Sequence, residues 1–197
     1  MADHGCVPPL KSPSPFALTH WRSYKRVPGI GLDPFWRSWL LDRGSLTERL
    51  VRATEGNFFV RVTQQGWLRP HLSEATRLRI KPGQIALVRE VQLVCHKEAW
   101  VHARSVFPLS TLSGSLGYLR NLGNKSLGSL LFKDPSLKRT LFEIASMRNY
   151  PIGSPEQSLA DSTLWGRRSL FYVQQMPILV TEIFLPALKA HMEQHQL

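Results

Sequence analysis

The chain holds only two cysteines among 197 residues, Cys6 and Cys95, and neither sits in a CxxC pair. Two such thiols build neither a disulfide framework nor a structural zinc site, so the fold must stand on its own apolar core. Long hydrophobic runs are also missing: charge or turn residues break every apolar stretch well short of the roughly 18 residues a membrane helix needs. The segment Met1 to Leu18 carries early Pro and Ser and no continuous apolar region, so it does not read as a secretory signal, and a cytoplasmic location is expected. Acidic residues are scarce, 14 Asp and Glu against 25 Lys and Arg, for a formal charge of +11. Core material is plentiful: 43% of the residues are hydrophobic, enough at this length for one domain.

The positive charge raises nucleic acid first, and Arg77-Leu78-Arg79-Ile80-Lys81 and Arg167-Arg168 are locally basic. The other cations are scattered, no aromatics interleave with them as a stacking platform, and no zinc-finger, RNP or basic-zipper pattern occurs. No nucleic-acid partner is expected. The charge also suits a small polyanionic substrate or an anionic membrane surface, and composition does not separate the two.

Residues 1–20, with Pro8-Pro9 and Ser12-Pro13-Ser14-Pro15, predict a disordered arm before a domain at 21–190 and a tail at 191–197. Asp33-Pro34 opens a helix as cap and first-turn proline, Phe35, Trp36, Trp39 and Leu40 form its apolar face, and Gly44 closes it. Ser45-Leu46-Thr47-Glu48 then matches a capping box, so two short helices meet in a hairpin. From Asn57 the texture turns to strands, at 58–63, 86–95, 98–107, 169–176 and 177–185. Between them, 110–133 predicts a second helical hairpin, with Leu116, Leu119 and Leu122 on one face and Gly123 as the stop. Lys138 to Arg148 predicts one more helix and 151–163 an exposed loop. The pattern is α+β, a largely antiparallel sheet with segregated helices.

Two charged side chains fall on apolar strand faces. Alternation aligns Leu87, Arg89, Val91 and Leu93, and a guanidinium in that company needs an anion, a ligand's or a structural one. With a turn centred on His96-Lys97, Arg89 faces Arg104, and two arginines side by side call for a bound carboxylate. Glu182 shares its face with Ile178, Val180 and Phe184, surroundings that push a carboxyl toward its neutral, proton-donating form unless a structural Arg pairs with it. An inward Arg and an inward Glu together suggest a pocket for a small acid.

Other signals are set aside. Gly117 to Ser126 imitates a phosphate loop but has the wrong glycine spacing, and Ser113-Gly114-Ser115-Leu116-Gly117 is not a GxSxG elbow. Asn124-Lys125-Ser126 is a formal glycosylation sequon that a chain without a secretory signal never presents for glycosylation. His191 and His195 have i, i+4 spacing but no third ligand, so no metal site is expected.

Read in order, Ser45-Leu46-Thr47-Glu48-Arg49, Leu87-Val88-Arg89-Glu90-Val91, Pro108-Leu109-Ser110-Thr111-Leu112-Ser113-Gly114, Ser126-Leu127-Gly128, Leu164-Trp165-Gly166-Arg167-Arg168-Ser169 and Thr181-Glu182-Ile183-Phe184-Leu185-Pro186 resemble the chorismate pyruvate-lyase family of ubiquinone biosynthesis. The similarity runs from about Trp21 to Pro186. It implies a single-domain antiparallel sheet with helices on one side and two helix-turn-helix flaps over a closed pocket. It also implies conversion of chorismate to 4-hydroxybenzoate and pyruvate with no metal or organic cofactor. By motif, the aromatic product is expected on Arg89, on Glu182 and on the backbone of Leu46 and Leu127. Position 46 departs from the family's methionine, a change a backbone contact survives. Arg89 and Glu182 are the expected catalytic pair, and Arg104 the expected second arginine, on the pyruvyl side. Closed flaps imply slow release and product inhibition. A monomer is expected, with transient transfer of product to a membrane prenyltransferase. The segment 148–163 is longer than in the family and the N-terminal arm is extra. The rival from another class is a non-catalytic module that senses a small aromatic acid, since a related fold serves GntR-type repressors as effector domain; this chain lacks room before residue 21 for their DNA-binding domain.

Overall fold

A computed structural model of the chain describes residues 19–26, 32–148 and 163–195. Hairpins joined in sequence build one eight-stranded antiparallel sheet: β1 (Arg22–Ser23), β2 (Phe58–Leu68), β3 (Ala86–Cys95), β4 (Glu98–Pro108), β5 (Lys138–Arg139), β6 (Glu143–Met147), β7 (Leu164–Val173) and β8 (Met176–Phe184). The order across it is β1-β6-β7-β8-β4-β3-β2, with β5 also paired to β7. The helices are α1 (Pro34–Leu40), α2 (Leu46–Ala53), α3 (Leu72–Leu78), α4 (Leu109–Leu112), α5 (Leu127–Leu131) and α6 (Pro186–Gln194), with a 3-10 helix at Ser115–Asn121.

The period of two in β3, β4 and β8 divides the core. On one face Val91, Leu93, Val101 and Phe184 meet Trp36, Trp39 and Leu40 of α1, Leu46 and Leu50 of α2 and Leu188 of α6. Farther along the same face Leu87, Phe107, Ile178 and Val180 meet Leu112, Leu116, Leu119, Leu122, Leu127 and Leu131 of the second helical segment. The three-residue spacing of Leu116, Leu119 and Leu122 fits the 3-10 helix that carries the first two of them. One helix departs from the one-sided arrangement: α3 covers the opposite face, where Leu78 packs on Val88, Val106, Leu170 and Leu179.

Four boundaries differ from the sequence reading. Lys138 to Arg148 is not helical but forms β5 and β6: Phe142 and Ile144 join the core under α1, while Met147 joins a separate cluster with Ile183. A short apolar run fits both periods, and pairing to β7 decides it. Next, β7 begins at Leu164, because Gly166, Arg167 and Arg168 look like loop yet are buried in the ladder. The strand expected at 58–63 runs on to Leu68. Finally, α6 continues to Gln194, across the expected start of the tail. The expected arm falls almost wholly, at 1–18, outside the described residues, as does the expected loop at 151–162.

The β3-β4 hairpin turns at His96-Lys97, both at positive φ, as expected. Near the turn Cys95 faces Glu98 and Val94 faces Ala99, but Trp100 is then an extra residue, so Leu93 faces Val101, Arg89 faces Ser105 and Glu90 faces Arg104. A one-residue bulge moves every later side chain to the other face, and it separates Arg104 from Arg89.

Candidate functional site

A cavity lies between the sheet and the two helical hairpins, and its floor is open because of two short side chains. The inward residues of β4 run Val101, Ala103, Ser105, Phe107; Ser105 stands beside Arg89 of β3, and Ala103 beside Glu182 of β8. Arg89 and Glu182 are therefore two strands apart, about 10 Å, and two residues apart along the strands, about 7 Å. Leu46, Thr47, Ser126, Leu127, Gly128 and Leu131 lie overhead, and Arg139, Phe132 and Phe171 form a side wall. The space between the atoms is about 540 Å³ with its open mouth included.

The roof is two helix starts. Ser45 and Ser126 cap α2 and α5, accepting from the backbone N–H of Glu48 and Ser129. Leu46 and Leu127 are thus the first residues of their helices, where backbone N–H groups have no acceptor within the helix. The hydroxyls of Thr47 and Ser126 share a 2.5 Å hydrogen bond that ties one hairpin to the other. A Cβ at position 128 would lie 2.9 Å from Thr47 Oγ1, so glycine there lets the two hairpins meet.

Arg89 is 2% exposed. Its Nη2 donates to the carbonyls of Gly123 (2.9 Å) and Lys125 (3.1 Å), while its buried Nε has no acceptor. No carboxylate offsets it among the described residues, and burial alone pulls its pKa below the ordinary arginine value. A desolvated cation without a counter-ion among the described residues makes Arg89 a candidate to receive an anion.

Glu182 is not the isolated carboxyl expected from its apolar strand. Its Oε2 accepts from Arg167 Nε at 2.5 Å and lies 3.6 Å from Arg139 Nη2. The premise for a neutral proton donor therefore fails, and the alternative of a pairing arginine is the arrangement present. Arg167 Nη1 in turn donates to the carbonyls of Trp39 and Asp42, both at 2.8 Å. Those carbonyls are at and just past the C-terminal end of α1, so the Glu182–Arg167 pair also fastens the first hairpin to the sheet.

Arg104, expected as the second arginine of the pocket, is on the opposite face and does not line it. It grips Glu74 with Nε (2.8 Å) and Nη2 (3.0 Å) and donates to Glu90 through Nη1 (2.5 Å), ion pairs that tie α3 to the sheet. Burial opposes its charge, but these two carboxylates more than restore it, and its pKa rises. The pocket does hold a second arginine, Arg139, which the sequence reading placed in a helix. The structure thus brings Arg89, Glu182, Leu46 and Leu127 together and removes Arg104. Among the described residues no group of three or more His, Cys, Asp and Glu is placed to hold a metal ion, and no helix is long and apolar enough to cross a membrane.

The family model described as chorismate lyase matches residues 23–193. A probable chorismate pyruvate-lyase of Methylococcus capsulatus is 43% identical over 76% of this chain and 94% of its own length. Probable chorismate pyruvate-lyase 2 of Pseudomonas entomophila is 38% identical over 91% of this chain and 95% of its own. Among solved structures, a GntR-family transcriptional regulator from Bacillus cereus superposes with a TM-score of 0.50 at 13% identity, over 66% of this chain and 93% of that one. That likeness concerns the fold alone.

Proposed function

The chain belongs to the chorismate lyase family, and from that premise we propose that it converts chorismate to 4-hydroxybenzoate and pyruvate in the cavity under the two hairpins. One observation carries the assignment of the site. Arg89 is a buried cation with no acidic partner among the described residues, and it faces Glu182 across a floor of Ala103 and Ser105. A ring with a carboxylate at one end and a hydroxyl at the other matches those two polar ends, and the apolar walls match its faces.

In the reaction the bond from the ring to the enolpyruvyl oxygen breaks, the hydrogen on the neighbouring hydroxyl-bearing carbon leaves, and the ring becomes aromatic. The released enolpyruvate takes up one proton at its methylene carbon and becomes pyruvate. No water is consumed and nothing is oxidised overall, so we infer that protein groups serve the step without a cofactor. Arg89 binds the ring carboxylate as a charge-assisted pair. Glu182, held by Arg167, accepts a hydrogen bond from the ring hydroxyl that becomes the phenol. The backbone N–H groups of Leu46 and Leu127 are donors above the ring. A roof latched by Thr47 and Ser126 excludes water and delays product release, which supports product inhibition.

The test is incubation of purified protein with chorismate, without added metal or nucleotide, following both products by chromatography. Equal release of pyruvate and 4-hydroxybenzoate is expected. Tight 4-hydroxybenzoate binding with no turnover would refute the lyase and leave a binding module.

A further inference from the structure

The cavity contains a cation that the roles above leave unused. Arg139 lies on β5, where it faces Phe171 of β7, so in strand order it comes beyond Glu182 of β8 from Arg89 of β3. Its guanidinium lies over the rings of Phe142 and Phe171, 4.2 and 4.5 Å from their centroids. Nε donates to Ser169 Oγ at 2.9 Å. The outward nitrogens are poorly served: Nη2 is 3.6 Å from Glu182, beyond hydrogen-bonding distance, and buried Nη1 has no acceptor. Burial brings its pKa down to about 10, the mark of a cation short of negative charge. Arg167 and Arg139 share the one carboxylate of Glu182, and Arg89 elsewhere in the same cavity has none among the described residues, so positive charge exceeds negative there.

We propose that Arg139 is the specificity residue for a second carboxylate, the one on the enolpyruvyl arm, so that the site is built for a dianion, whereas the monoanionic aromatic product engages Arg89 and not Arg139. The inference rests on the lyase reading for the identity of that arm. It follows from proximity: with the ring carboxylate on Arg89 and the para hydroxyl on Glu182, a substituent beside that hydroxyl lies next to the Arg139 guanidinium, whose Nη2 is 3.6 Å from Glu182. Charge-assisted bonds made to substrate and not to product select the right ligand without tightening product inhibition.

The experiment compares wild type, Arg139→Gln, Arg139→Lys and Arg89→Gln, each with native circular dichroism as an entry condition. Three readouts are taken: kcat/KM for chorismate, the Kd of 4-hydroxybenzoate, and the Kd of an unreactive dianion, 3-(carboxymethoxy)-4-hydroxybenzoate. Loss of the charged donor in Arg139→Gln is expected to lower kcat/KM and weaken the dianion about 10- to 100-fold. The monoanion is expected to bind as before, and Arg139→Lys to recover part of the preference. Arg89→Gln should weaken both ligands. Equal loss of both ligands in Arg139→Gln would overturn the proposal and make Arg139 a support for Glu182. A wild type that shows no preference for the dianion would overturn it as well. If wild type fails to turn over chorismate yet shows an Arg139-dependent dianion preference, the lyase reading fails while the second carboxylate site stands.

Discussion

Replacing Arg89 by methionine should separate stability from function in one step. The guanidinium is buried at 2% exposure and among the described residues is held by two backbone carbonyls. Each such bond to a charged donor contributes about 1.5–3 kcal/mol. Against that, keeping an ion out of water costs several kcal/mol, with no counter-ion among the described residues to offset it. Gly123 and Lys125 are exposed, so water can take over their carbonyls when the arginine is gone, whereas methionine fills a similar length of apolar wall. The terms nearly cancel, and the ligand-free variant should lie within about 1 kcal/mol of wild type in urea unfolding. Ligand response should differ sharply. At a hundred times its Kd, 4-hydroxybenzoate stabilises a binding-competent protein by about 2.7 kcal/mol, and the variant should show none of this. A ligand-free variant that loses more than about 2 kcal/mol would refute the reasoning, because Arg89 would then be the anchor of the 123–125 loop rather than a waiting anion site.

Three further outcomes are expected. Glu182→Gln leaves Arg167 and Arg139 without their carboxylate and should cost about 3–5 kcal/mol in urea unfolding, a loss that an added Arg167→Met should partly return; an unchanged midpoint would contradict the strut to α1. Gly128→Ala sets a Cβ 2.9 Å from Thr47 Oγ1 and should spread the roof, speeding release of 4-hydroxybenzoate and raising its Kd about tenfold, with Thr47→Ala restoring room; stopped-flow release rates that do not move would exclude contact between the hairpins. His71 and His102 have pKa values below the ordinary 6.5, chiefly through burial, so below pH 6.5 the unfolded chain binds protons that the folded chain refuses, and stability should be full above that pH and fall as the pH drops through it. Urea midpoints between pH 7.5 and 5.5 test this, and a flat profile would mean that neither ring is kept neutral by the fold.

Much of this arrangement was legible in residue order. The caps at Asp33 and Ser45, the inward parity of Arg89 and Glu182, and the turn at His96-Lys97 are local features, and local chemistry decides them. Three things were not legible, each for a reason beyond the segment itself. Trp100 bulges where a buried ring meets His96 and His191, a packing choice that no window around the hairpin contains. The strand character of Glu143–Met147 comes from β7, which pairs with it from across a long connection. Arg139 enters the pocket only because that pairing lays β5 against Phe171, so a helical reading of 138–148 hides it.

The same limit explains the exchange of Arg104 for Arg139. The sheet buries several arginines to nearly equal degrees, so burial does not tell a structural guanidinium from a functional one. Acidic partners do. Arg104 holds two carboxylates, Arg168 has Glu143, and Arg167 has Glu182. Arg139 reaches Glu182 only at 3.6 Å, and Arg89 reaches no carboxylate among the described residues. Ranked by acidic pairing, these buried arginines sort into those tied to carboxylates and those short of one among the described residues, and the two short of one line one cavity. A single residue of register at Trp100 decides which end of that ranking Arg104 occupies. Were Trp100 to enter the ladder opposite Leu93 instead of bulging, Arg104 would face Arg89 and leave Glu74 and Glu90, so the bulge is a condition for both the α3 anchor and the charge balance of the site.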